Sequence, residues 1–159
     1  CSHGHFDHHA TDCMELLPER ESPFVVREVE TFHDDRGGAL RGTNTVRIFT
    51  AGGLSVAHLG DLGHQLTAEQ AAAIGPVDAV LVPVGGVYTV DAAGAKAVCD
   101  ALHPRCVVPM HYHHAPYGLT EVDSVEPFLE LWPAEEVHHL QGAAFELTEQ
   151  TAGVMVPSF

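Results

Sequence analysis

The chain has 159 residues, 45% of them hydrophobic, which suits one domain burying roughly two-thirds of its unfolded surface. Seven basic residues against 22 acidic ones give a formal charge of −15, a surface that would repel a phosphate backbone and argues against a nucleic-acid partner. No apolar run reaches the roughly 18 residues needed to span a membrane.

The chain opens on Ser2-His3-Gly4-His5-Phe6-Asp7-His8, three imidazoles and a carboxylate within a few positions. In an extended stretch, side chains at i and i+2 share a face, so His3 and His5 can grip one ion together. If the chain turns into a helix at Asp7, that residue and His8 swing toward a second ion. Imidazole and carboxylate without thiolate suit zinc, and also iron or manganese. A tag scar would be a run of like residues, whereas Gly4, Phe6 and Asp7 interrupt this one. Ala10, Cys13, Met14 and Leu17 then recur at helical spacing before Pro18, so a helix is predicted from near Asp7, whose carboxylate suits a helix N-terminus.

Residues 23–26 and 29–32 read as strand, which places His33 at a strand end. Residues 45–50 and 54–59 flank Ala51-Gly52-Gly53 and predict a hairpin, with Asp61 just past its second strand. Thr67-Ala68-Glu69-Gln70 has the form of a capping box, opening a short helix that Gly75-Pro76 stops. The apolar run 79–84 predicts a strand covered on both faces. A helix over 92–102 follows, with Asp91 as its N-cap, and then a buried strand over 106–108 with His111 beyond it. Strand, helix, strand in this order implies a right-handed crossover and a parallel pair. Residues 124–132 predict another helix with Val125, Phe128, Leu129 and Trp132 on one face, and 137–140 and 144–147 are weaker strand candidates. Asp7, His33, Asp61 and His111 all fall at the ends of elements, where loops on a rigid sheet carry functional groups.

These blocks resemble, in order, those of the metallo-β-lactamase superfamily of binuclear metallohydrolases. Residues 2–8 match its H-x-H-x-D-H signature, and Phe32-His33-Asp34-Asp35 matches its isolated histidine. His58-Leu59-Gly60-Asp61-Leu62-Gly63-His64 resembles the bridging-aspartate block. Pro83-Val84-Gly85-Gly86-Val87-Tyr88-Thr89-Val90-Asp91 and Pro109-Met110-His111-Tyr112 are similar to the last two blocks of one branch, the small metal-dependent hydrolases related to the ascorbate-6-phosphate lactonases. The resemblance runs from residue 1 to about residue 132.

The resemblance implies an αββα sandwich and a hydrolase with two divalent metal ions as cofactors, zinc first, manganese or iron otherwise. His3, His5 and His33 would hold one metal, Asp7, His8 and His111 the other, and Asp61 would bridge them. A metal-bridging hydroxide would attack a small ester, lactone or phosphoester, with Asp7 orienting it. No G-x-S-x-G sequence competes for the nucleophile's role. Tyr88, Tyr112, His113 and His114 are candidates to line the substrate pocket. His64 reads either as support behind a ligand or as a packing residue, and His58 as a hydrogen-bonded core or edge histidine. His103, His138 and His139 read as surface residues. Asp34 and Asp35 read as solvated, one of them able to orient His33. The alternatives are a redox di-iron protein, which generally places Glu where this chain has His5 and carries a flavin domain, and a non-catalytic metal-binding or interaction domain.

Cys1, Cys13, Cys99 and Cys106 show no C-x-x-C pairing. Cys13 and Cys99 fall on apolar helix faces and Cys106 in a buried strand, so a reducing, cytoplasmic setting is expected. The chain begins at the first motif, with Cys1, where the family carries strands upstream. The sandwich is therefore expected to lack its N-terminal strands in this chain, and an N-terminal segment or a second subunit is expected to complete it. The other expected partner is a small-molecule substrate, with neither nucleic acid nor membrane.

Overall fold

The structure, a computed structural model, describes residues 22–158. The predicted helix after Asp7, Cys1, Cys13 and the donors His3, His5, Asp7 and His8 lie outside the described residues. Among the described residues one mixed sheet of seven strands forms the frame, in the order β1-β2-β3-β4-β5-β7-β6. Its strands are β1 (Val25–Phe32), β2 (Thr43–Ala51), β3 (Leu54–His58), β4 (Ala79–Pro83), β5 (Cys106–Met110), β6 (Val137–His139) and β7 (Gly153–Val156). The first three are antiparallel and the remainder pair in parallel.

Local chemistry explains most boundaries. Gly52 and Gly53 take φ of 59° and 82°, the left-handed pair that a tight hairpin turn needs, and so join β2 to β3. Helix α1 (Ala68–Ile74) opens on a reciprocal capping box: Thr67 Oγ1 accepts the Gln70 N–H at 3.1 Å and Gln70 Oε1 accepts the Thr67 N–H at 3.0 Å. Helix α2 (Ala92–Leu102) opens on Asp91, whose Oδ1 accepts the Gly94 N–H at 2.8 Å. These two helices are the crossovers of β3-α1-β4 and β4-α2-β5.

Three expectations need correction. Residues 23–26 and 29–32 are not two strands: β1 runs unbroken over Val25–Phe32. Helix α3 covers only Glu126–Leu129, not 124–132, because Leu131 and Trp132 bond three residues back, to Phe128 and Leu129, and Pro133 then ends the run. Residues 144–147 form no strand; β7 comes later, from the Val154-Met155-Val156 run, all three of them buried.

The core sits on one face of the sheet. Val46, Ile48, Ala57, Val80, Val82, Val107, Val154 and Val156 pack there against Ile74, Ala95, Val98, Cys99, Leu102 and Phe128 from the helical segments. Truncating the fully buried Phe128 would cost about 3–5 kcal/mol. The opposite face holds a smaller cluster, Ala79, Cys106 and Met155, with Val56, Val108, Leu140 and Leu147 only partly buried around it. The described residues thus build one sheet and one helix layer of the expected four-layer sandwich. None of their helices is long and apolar enough to cross a membrane.

Pro109 shapes the end of β5. The Cys106 N–H donates to Asp78, ahead of β4, so alternation turns position 109 toward β7, and proline has no N–H to offer there. The β5–β7 ladder accordingly stops at Val107↔Val154. Beyond it a cavity of about 280 Å³ is lined by Pro109, Met110, His111, Tyr112, Ala143 and Pro157, among others.

Candidate metal centre

His33 follows β1, Asp61 lies three residues past β3, and His111 follows β5 directly. The sheet brings these ends together. His33 Nε2 stands 3.2 Å from Asp61 Oδ2, and His111 Nε2 stands 3.5 Å from the same oxygen. Asp61 is 4% exposed and His33 is 2% exposed, so the carboxylate and the first imidazole are held almost wholly out of water. His111 has φ of 56°, a left-handed conformation that costs a residue with a side chain about 1–3 kcal/mol. It bends the chain just after β5, where its ring faces Asp61.

Each of these ends is tied down by backbone bonds. The His33 N–H donates to Gly42 O at 3.0 Å, Gly63 N–H to Phe32 O at 3.0 Å, and Val84 N–H to Met110 O at 3.0 Å. Two glycines allow the close approach. A Cβ on Gly63 would collide with the His33 carbonyl group and the Asp34 amide nitrogen, and one on Gly85 would collide with the His111 carbonyl oxygen. Neither position can accept a side chain without moving a ligand-bearing loop.

His33 Nδ1 lies 3.0 Å from the Tyr88 carbonyl oxygen, which only accepts, so Nδ1 carries the hydrogen. In the neutral ring Nε2 then presents a lone pair toward a carboxylate oxygen. That opposition is relieved by a proton on Nε2 or by a cation between the two. Burial pulls the His33 pKa down, but the hydrogen bond and charge of Asp61 outweigh it, and the net shift is upward. The arrangement fits a metal: imidazole and carboxylate donors converge, and the ring is oriented from behind by a carbonyl, as metal-binding histidines generally are. Among the described residues no group of three or more His, Cys, Asp or Glu side chains forms a metal-binding cluster by itself. The expected set is divided between these residues and His3, His5, Asp7 and His8.

Other positions fall into place around this centre. Tyr88 serves His33 through its carbonyl, while its hydroxyl donates to Glu121 Oε1 at 3.0 Å and its ring lies 5.5 Å from the Arg41 guanidinium. The Glu121 carboxylate holds the Tyr88 hydroxyl above its ordinary pKa. Tyr112 and His114 line the cavity beyond Pro109, next to His111. His113 lies on the same loop, its N–H donating to Asp123 O at 2.9 Å. His64 is a brace for the strand end before His33: its Nε2 accepts the Phe32 N–H at 3.1 Å, its Nδ1 donates to Gln65 O at 2.7 Å, and its ring packs on Phe32. His58 Nδ1 accepts the Gly60 N–H at 3.0 Å, the hydrogen-bonded role expected of it. His103, His138 and His139 are exposed.

Asp34 departs from expectation. It is 2% exposed rather than solvated, and it does not orient His33. Its carboxylate accepts four backbone N–H groups, from Arg36, Gly38, Leu40 and Arg41, at 2.7–3.0 Å. Burial would raise its pKa, but the four donors outweigh this and hold it at about 2. The loop after His33 is therefore wound around a charged carboxylate. Two further residues carried no motif at all: Asn44 and Thr31, both fully buried, lie behind Asp61. A polar residue at an inward strand position was the only signal that marked them.

Residues 1–111 match the profile of the β-lactamase superfamily domain. Metal-dependent hydrolases of Thermoplasma acidophilum and Carboxydothermus hydrogenoformans are similar to the chain, at 38% identity over 107 residues and 36% over 75. The matched stretches cover 65% and 47% of this chain, and 47% and 33% of those relatives, so the chain spans about half and one third of their lengths. Among solved structures, a Thermotoga maritima protein assigned as a zinc-dependent hydrolase of the metallo-β-lactamase superfamily has a TM-score of 0.71 at 38% identity, over 83% of this chain and 63% of that one. A metallo-β-lactamase fold protein of Bacillus subtilis has a TM-score of 0.53 at 11% identity, over 88% of this chain and 49% of that one, a likeness of fold alone.

Proposed function

The chain belongs to the metallo-β-lactamase superfamily, and on that premise we propose that it carries the centre of a binuclear metal-dependent hydrolase acting on a small ester, lactone or phosphoester. The observation that carries this reading is the convergence of His33 and His111 on one buried oxygen of Asp61. In it, His3, His5 and His33 would hold one divalent ion and Asp7, His8 and His111 a second, with Asp61 available to both. Zinc suits the donors best, with manganese and iron as the alternatives. The chemistry such ions supply when bound is activation of a water and polarisation of a carbonyl or phosphoryl oxygen.

The chain's own residues do the rest. Tyr88 O holds the His33 ring with its Nε2 toward the centre, and Asp61 supplies the charge that offsets the cations. Asp7 orients the attacking water, while Tyr112, His113 and His114 contact the substrate on the His111 side and Tyr88 on the His33 side. The buried thiols of Cys99 and Cys106, both free, support a reducing cytoplasmic setting for this chemistry. Metal analysis of the purified full chain, joined to an activity screen against lactones, phosphodiesters and amides, tests the reading. Two bound divalent ions and metal-dependent turnover of one class support it. A protein that binds no divalent ion would refute it.

A second reading concerns the sheet face opposite the helices. Phe49, Val56, Leu81, Val108 and Met110 are only partly buried there, an apolar surface that favours a cover. The proposed cover is an N-terminal segment of the same gene product or a second subunit. A chain that is monomeric in size-exclusion chromatography, unfolds cooperatively and binds no hydrophobic dye would rule it out.

A further inference from the structure

Asn44 sits on β2 with 0% exposure, and its amide is fully engaged. Nδ2 donates to Thr31 Oγ1 at 2.8 Å and to Leu59 O at 2.8 Å, while Oδ1 accepts the Asp61 N–H at 3.0 Å. Thr31, also at 0% exposure, donates its hydroxyl to Asn44 O at 3.2 Å. Thr31 and Asn44 are direct partners in the β1–β2 ladder, and Thr31 lies two residues before His33. Leu59 and Asp61 flank Gly60 in the turn after β3, beyond its last ladder pair with β2, Arg47↔His58. One buried side chain on the middle strand thus spans the two chain ends that carry His33 and Asp61.

A buried asparagine with satisfied bonds can be a simple core residue, and replacing it would then cost stability alone, through the partners left unpaired. The partners of Asn44 argue for more. Two of its three bonds go to the 59–61 turn, past the last β2–β3 pair, where β4 holds the Leu59 N–H through Leu81 O at 3.0 Å, and one of the two goes to the amide of Asp61 itself. We infer that Asn44, braced by Thr31, is a positioning residue of the metal centre, fixing the Asp61 carboxylate against His33. The inference rests on the reading of His33 and Asp61 as ligands. Partners behind metal ligands typically alter affinity by about 10–100-fold when removed.

The test uses the full chain with Asn44→Leu and Thr31→Val, measured well below the melting temperature of each variant. Zinc affinity is read by chelator competition, and the geometry by the visible spectrum of the cobalt-loaded protein. Asn44→Leu is expected to weaken zinc binding by about 10–100-fold and to change the cobalt bands. Thr31→Val, which keeps the Asn44–Asp61 bond but removes its brace, is expected to give a smaller loss in the same direction, and it serves alone if Asn44→Leu does not fold. A wild-type protein that binds zinc, alongside folded variants with wild-type affinity and spectrum, would overturn the positioning role while leaving the hydrolase reading intact. A wild-type protein that binds no divalent ion would overturn both.

Discussion

Gly63 lies directly against the backbone of His33, so close that no Cβ fits between them. The block after Asp61 and the strand end before the metal centre are therefore packed backbone to backbone. Gly63→Ala is expected to cost about 1–3 kcal/mol, read as a lower Tm, because one chain must move to relieve the overlap. Gly85→Ala should behave alike, through the His111 carbonyl. Retention of wild-type Tm and zinc affinity in both variants would show that the packing is looser than described.

Asp61→Ala removes the oxygen that faces both His33 and His111. The variant is expected to lose at least one metal equivalent by elemental analysis, and its hydrolytic activity with it. His138→Ala, on the exposed edge strand β6, should leave metal content unchanged. Two tightly bound ions in Asp61→Ala would remove Asp61 from the ligand set.

Metal binding should stabilise the fold, because in the proposed centre cations would neutralise the Asp61 carboxylate, which is only 4% exposed. At a free metal concentration of about 100 times Kd, the gain is about 2.7 kcal/mol, or roughly 5–11 °C in Tm for a domain of this size. Chelation should lower the melting curve by that order, and added zinc should restore it. An unchanged curve after verified metal removal would contradict the expectation.

The Asp34 carboxyl is held at about 2 in the folded chain against an ordinary 3.8. A depressed carboxyl contributes stability that is fully present above the unfolded value and is lost as pH falls through the folded one, here between about 4 and about 2. Wild type should therefore exceed Asp34→Asn in urea midpoint at neutral pH, and the gap should close across that window. A gap independent of pH would mean that the four N–H bonds do not depend on the charge.

Much of this architecture was legible because it rests on local chemistry. The Thr67–Gln70 capping box, the Gly52-Gly53 turn, the Asp91 cap and the 79–84 apolar run each declare their element within a few residues. Failures came where distance in sequence decides. Residues 144–147 and 153–156 are both short and mostly apolar, Glu146 aside, and the choice between them depends on which one meets β5 and β6. Helix α3 stops early because Pro133 and the shortened i→i−3 bonds override the apolar periodicity. In the centre, His33, Asp61 and His111 were legible by residue type and position at element ends. Asp34 was not, since an aspartate that gathers four N–H groups from its own loop looks like any loop aspartate. Asn44 and Thr31 were silent because their function lies in one cross-strand pair and a turn 15 or more residues away.

Pro109 has a kinetic consequence. The hydrogen it lacks cannot be regained by any fluctuation, so the seam between β5 and β7 cannot zip shut beside His111. Each time this part of the sheet opens and re-forms, pairing stops at the same Val107↔Val154 pair, and the loop that begins at His111 stays outside the ladder.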